Sequence, residues 1–132
     1  MKILLIDEDH SQHIVRELKK YHVVKAVSTI EQVHNCARLN EGLENFDFII
    51  MDTYLDPFPL YSHDQISSFE DVGWFLYKDL MKNLSHPKII ILVRSLEDQH
   101  RHTWGDNVIS VQWKREYLDS YLPLLEKTPN SG

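Results

Sequence analysis

"KILLIDEDHS", residues 2–11, decides the fold. Four apolar residues, Ile3 to Ile6, run straight into three acids, Asp7, Glu8 and Asp9. The continuous apolar run reads as a buried strand rather than a half-exposed one, because nothing in it alternates with polar residues. A buried strand that empties into like charges is electrostatically unfavourable unless something beside the carboxylates compensates them.

Outward from that stretch, apolar runs and amphipathic segments take turns. "SQHIVRELKKY" (11–21) puts Ile14, Val15 and Leu18 on one helical face. "HVVKAV" (22–27) reads as a second strand. "TIEQVHNCARL" (29–39) reads as a helix with Thr29 as N-cap and Gly42 soon after as a stop. "FDFIIM" (46–51) is a third strand and also ends on an acid, Asp52. After a long loop, "DVGWFLYKDLMKNL" (71–84) predicts a helix and "KIIILV" (88–93) a fourth strand. "LEDQHRHTWGDN" (96–107) predicts a short polar helix closed by Gly105, and "NVISVQW" (107–113) a fifth strand ending at Lys114. "EYLDSYLPLLEK" (116–127) predicts the last helix, which Pro123 should kink or shorten. Five strands, each followed by a helix, predict an α/β chain with a parallel sheet covered on both faces.

Composition bounds the function. The 132 residues carry 14 basic and 20 acidic side chains, a net charge of −6, with no basic block to hold phosphates in a nucleic-acid groove. Cys36 stands alone, so no internal disulfide is possible. The apolar run after Met1 is too short for a signal-peptide core, and no stretch is long enough to span a bilayer. The expectation is one cytoplasmic domain, residues 1–127, with a tail at 128–132, monomeric or weakly dimeric, with neither nucleic acid nor membrane as partner. No further domain is expected after residue 127.

In parallel α/β sheets, ligands sit outside the carboxyl ends of the strands, where strand order reverses. The polar residues there are Asp7, Glu8 and Asp9 after strand one, Asp52 after strand three, Ser95 past strand four and Lys114 after strand five. Carboxylates this crowded require a divalent cation or a lysine. A site of few carboxylates plus water suits Mg²⁺, which also accepts phosphate oxygens.

At these residues the sequence resembles a known family. "LLIDED" after strand one, "FDFIIMD" after strand three and "VQWK" after strand five together resemble the CheY-like receiver domain of two-component response regulators, over roughly residues 2–126. The resemblance implies a doubly wound, flavodoxin-like sheet of order 2-1-3-4-5. It implies Asp52 as phosphoacceptor, and Asp7, Glu8, Asp52 and the backbone carbonyl of Tyr54 as Mg²⁺ ligands. Lys114 would neutralise the phosphoryl oxygens. The implied partners are a histidine kinase or phosphotransfer protein and a downstream protein target.

The departures from the family pattern are specific. The hydroxyl residue at the end of strand four is replaced by Val93, with Ser95 the nearest hydroxyl. The aromatic rotor three residues before the lysine is replaced by Val111. Arg115 follows Lys114 where the family has a cis-proline, and a cis bond before a non-proline residue costs about 2.5–4 kcal/mol. A trans bond with a somewhat displaced Lys114 is therefore expected. Gly73, the match to the family's glycine at the start of helix three, stands 73 − 52 = 21 residues after Asp52. The insert this creates, 56–71, carries Phe58, Tyr61, Ile66 and Phe69, which either meet a partner or cover the domain's own core edge.

Plainer readings stand beside these. Asp9 suits a cap on the first helix, Lys114 could be a solvated strand-end charge, and Trp104 and Trp113 are expected to pack. The pairs His10/His13 and His100/His102 lack a third ligand at zinc spacing. Three functions remain: a phosphorylatable receiver acting through protein contact, a pseudo-receiver that binds partners unphosphorylated, and a phosphatase of the haloacid-dehalogenase type. In the third, "DEDHS" (7–11) would supply Asp7 as nucleophile and Asp9 as acid/base. The first two are not enzymes.

Overall fold

Residues 1–8, 12–39, 42–58, 60–62, 64, 66 and 68–114 are described, from a computed structural model of the chain. Each apolar run becomes a strand: β1 (Lys2–Ile6), β2 (Val23–Val27), β3 (Phe48–Asp52), β4 (Lys88–Val93) and β5 (Val108–Trp113). All four pairings are parallel, and the sheet order is β2-β1-β3-β4-β5. Between the strands lie α1 (Gln12–Lys19), α2 (Ile30–Arg38) and α3 (Val72–Leu80).

The pleat divides the three central strands between two apolar layers. Leu4, Ile6, Ile49, Met51, Ile89, Ile91 and Val93 pack with residues of α2 and α3, whereas Ile3, Leu5, Ile50, Ile90 and Leu92 pack with Ile14 and Leu18 of α1. These strands are apolar throughout because both of their faces are covered. Each fully buried Leu or Ile contributes roughly 1.5–3 kcal/mol. That is enough to hold the strand ends in place despite the charges they carry.

Local chemistry sets the helix ends. Thr29 and Gln32 form a reciprocal capping box at the start of α2, and Gly42 takes the left-handed conformation (φ 54°) in the turn that follows. At α3 the decisive residue is Gly73. Its N–H donates to the Thr53 carbonyl at 2.9 Å, and a Cβ there would lie 2.6 Å from Thr53 Cα. Only glycine lets the helix start this close to the end of β3.

Two expectations are corrected. The helix read over 96–107 is a single 3₁₀ turn, Glu97–His100, because the segment has no apolar face to bury and is tethered through polar contacts. Arg101 makes a two-point ion pair with Asp71 (2.6 and 3.0 Å), and His102 bonds the same carboxylate at 2.9 Å while stacking on Trp74. The insert is not a bare loop either. Leu55 N–H donates to the Phe69 carbonyl, closing its base, and Phe69–Asp71 forms a 3₁₀ turn leading into α3.

Of the four insert residues read as a partner surface, Ile66 is 3% exposed and sits in the core layer of α2 and α3. Tyr61 packs on that layer and donates its hydroxyl to Asp79 at 2.6 Å, and Phe69 lies against the Tyr54 ring. Phe58 alone of the four is fully exposed, at 78%. Asp9, His10, Arg115, the helix read over 116–127 and the tail lie outside the described residues. No described helix is long and apolar enough to cross a membrane.

Candidate functional site

The register of the sheet builds the site. Ile6 pairs with both Val27 and Met51, so Asp7 and Asp52, each one residue further on, emerge side by side from β1 and β3. The Asp7 amide donates to the Val27 carbonyl at 3.0 Å, fixing the backbone from which its carboxylate projects. Neither aspartate is exposed at all (0% each). Burying two like charges together demands a cation.

Lys114, just past β5, supplies it. Its Nζ lies 3.0 and 2.9 Å from the two carboxylate oxygens of Asp7 and 2.9 Å from Asp52 Oδ2. An ammonium with three donors suits this bridging position. Among the described residues, Lys114 joins the two carboxylates at the ends of β1 and β3.

A second cation stands beside the first. Arg94, the residue after β4, has its Nε 3.8 Å from Asp52 Oδ2 and its guanidinium 4.1 Å above the centre of the Tyr54 ring. Tyr54 in turn donates its backbone N–H to Asp52 Oδ1 at 2.9 Å. The Trp113 indole donates to the Arg94 carbonyl at 3.1 Å, tying the end of β4 to the end of β5. Two carboxylates thus face one ammonium and one guanidinium.

Burial is the largest influence on Asp52 and pushes its carboxyl above the usual aspartate range. The charge and hydrogen bond of Lys114 and the Tyr54 amide pull it down without cancelling that effect, and Asp7 adds to the rise. Burial also works to lower Lys114, but the attraction of Asp52 and Asp7 outweighs it, and the amine is held above the ordinary lysine value. It is charged throughout the neutral range.

Asp7, Asp52 and Lys114 thus meet in one place. Glu8, next to them in the chain, is exposed. Val93 is 2% exposed in the core layer, and Val111 packs beside that layer. The Ser95 hydroxyl donates to Asp98 Oδ2, in the 3₁₀ turn that follows, at 2.9 Å. Sequence reasoning missed Arg94. The available signal was that it is the first polar residue after the β4 apolar run, one position before the Ser95 that was chosen.

The donor set is compatible in kind with Mg²⁺: hard carboxylate oxygens of Asp7 and Asp52, with Glu8 adjacent. No group of three His, Cys, Asp or Glu side chains among the described residues comes together as a ready-made metal site. A divalent ion would therefore complete its shell with water and main chain, which Mg²⁺ accepts.

This sheet order is the flavodoxin-like one, and solved receiver domains of response regulators share it. The HemR receiver domain from Leptospira biflexa, in its non-phosphorylated form, is similar over 99% of this chain and 98% of its own, at 18% identity and a TM-score of 0.56. The Thermotoga maritima response regulator DrrB, an OmpR/PhoB homolog, matches 89% of this chain at 15% identity and a TM-score of 0.56; the match spans 52% of DrrB, about half its length. The N-terminal domain of a response regulator/sensory box/GGDEF protein from Carboxydothermus hydrogenoformans matches 96% of this chain and 94% of its own, at 17% identity and a TM-score of 0.53. At these identities the likeness is one of fold. No family model matches the sequence, and neither does any curated protein.

Proposed function

We propose that the chain is a signalling receiver that accepts a phosphoryl group on Asp52 and acts through contact with other proteins. The observation that carries this reading is the buried Asp52 carboxylate held by Lys114, with Asp7 alongside, at the carboxyl edge of a receiver-type sheet. A carboxylate oxygen of Asp52 would form a bond to the phosphorus of an incoming donor. The bond from phosphorus to the leaving group breaks, and the electron pair departs with that group, which takes a proton from solvent. Beyond the bond that Asp52 itself forms, such a transfer asks the protein for positioning and charge neutralisation.

Each residue has a part. The Tyr54 amide fixes one carboxylate oxygen, and Lys114 balances the charge on the other. Mg²⁺, held by Asp7, Asp52, Glu8 and the Tyr54 carbonyl, would supply further positive charge for the phosphoryl oxygens. The donor would be a histidine kinase or phosphotransfer protein, and the output a downstream protein target.

A second reading, a pseudo-receiver, draws support from the same geometry. Lys114 and Arg94 both stand against the paired aspartates, and Val93 offers no hydroxyl. Incubation with Mg²⁺ and phosphoramidate, followed by intact mass, separates the two. The receiver reading expects one hydroxylamine-sensitive phosphoryl adduct in the wild type and none in Asp52→Asn. An unlabelled wild type, under conditions that label an ordinary receiver, moves the assignment to the pseudo-receiver.

A further inference from the structure

We infer that Arg94 is the phosphoryl-recognition residue of this site, in the place where related domains use a hydroxyl at the end of strand four. The inference rests on the receiver reading and concerns how the site reads its anion. Val93 cannot serve, because its side chain is buried in the apolar layer with Ile91 and Ile89. Ser95 cannot serve either, because its hydroxyl is given to Asp98. The one remaining side chain at this strand end is Arg94, and it already stands over Asp52 at 3.8 Å.

The geometry suits the task. At 3.8 Å the guanidinium Nε is paired with the Asp52 carboxylate at longer than hydrogen-bond distance, which leaves the cation beside the oxygen that would carry the phosphoryl group. Its side chain is 35% exposed while that of Asp52 is 0% exposed, so the arginine reaches solvent where the aspartate does not. The Tyr54 ring beneath it and the Trp113 bond to its carbonyl restrict where it can go. A guanidinium offers a planar fork of donors that matches phosphate oxygens two at a time, which neither an ammonium nor a hydroxyl does. A phosphoryl group adds about two negative charges next to Asp52. Arg94 is the described cation best placed to take them without releasing Lys114 from Asp7.

Two measurements on full-length protein test this: the initial labelling rate with phosphoramidate and Mg²⁺, and the affinity for beryllium fluoride in Mg²⁺, followed by intrinsic fluorescence. Arg94→Ala is expected to remain folded with a lowered melting temperature, to label more slowly and to bind the fluoride about tenfold more weakly or worse. Arg94→Lys keeps the charge but loses the fork and the ring contact, and is expected to fall between. Arg94→Ala labelling as fast as wild type, or faster, overturns the inference while leaving Asp52 as phosphoacceptor. If the alanine variant does not fold, a lysine variant equal to wild type in both readouts overturns it instead. A wild type that neither labels nor binds the fluoride removes the receiver reading and the inference together.

Discussion

Replacing Lys114 with methionine would remove the charge that joins the two buried aspartates while keeping most of the side chain's bulk. The ammonium lies 2.9 Å from Asp52 Oδ2 and 2.9–3.0 Å from the oxygens of Asp7, both aspartates fully buried and the lysine side chain 24% exposed. Removing one partner of a buried pair costs about 3–5 kcal/mol. Partial exposure of the lysine, and Arg94 at 3.8 Å, place this case at the lower end, about 3 kcal/mol. With a urea m-value of about 1.5 kcal/mol/M, the unfolding midpoint at neutral pH should fall by about 2 M.

The pH dependence carries a sign that can be checked. Burial already holds the Asp52 carboxyl above its ordinary value, and losing Lys114 raises it further. A carboxyl whose folded value exceeds its unfolded one lowers stability as pH rises between the two. The deficit of Lys114→Met should therefore be largest at neutral pH and shrink as pH falls toward the ordinary value of 3.8. Urea titrations of wild type and variant across that range measure it. An unchanged midpoint at neutral pH, or a deficit that does not vary with pH, would refute the electrostatic account of the site.

Gly73→Ala should destabilise by about 1–3 kcal/mol in urea unfolding, because its Cβ would meet Thr53 Cα at 2.6 Å, where backbone cannot easily move. Within the insert, Ile66→Ala should cost about 2–4 kcal/mol, while Phe58→Ala should stay within about 0.5 kcal/mol of wild type. The reverse order in thermal unfolding would mean that the insert does not cover the core. The Arg101 hydrogen bond, then that of His102, holds the Asp71 carboxyl below the usual range against the opposing effect of burial. Its stabilisation should be present above pH 3.8 and lost as pH falls through the lowered value, so Asp71→Asn should flatten that limb of an acid-unfolding curve. Hydrogen exchange with and without beryllium fluoride and Mg²⁺ should show changes at 54–71, through Arg94 on Tyr54 and Tyr54 on Phe69, rather than only at 93–114.

The strands were readable because continuous apolar runs admit little else once helical segments separate them, and the acids at their ends pointed to the site. Lys114 was readable for the same reason: it is the first charge after the fifth run. Arg94 is not legible in the sequence, because spacing does not show which of two consecutive polar residues turns toward the sheet end. The 96–107 segment was misread because Gly105 and a polar stretch imitate a helix that has no apolar face to bury. The insert's direction was also hidden. An apolar residue among polar ones, such as Ile66, reads the same whether it faces a partner or its own core.

Whether Asp52 receives the phosphoryl group can be read directly from the chemistry of its carboxyl. Labelling the wild type with phosphoramidate and Mg²⁺, reducing any acyl phosphate with borohydride and mapping the peptides by mass would locate it directly. The account predicts a single reduced residue at position 52, lost in Asp52→Asn and slowed in Glu8→Gln. Reduction at Asp7 instead, or label that survives Asp52→Asn, would contradict it.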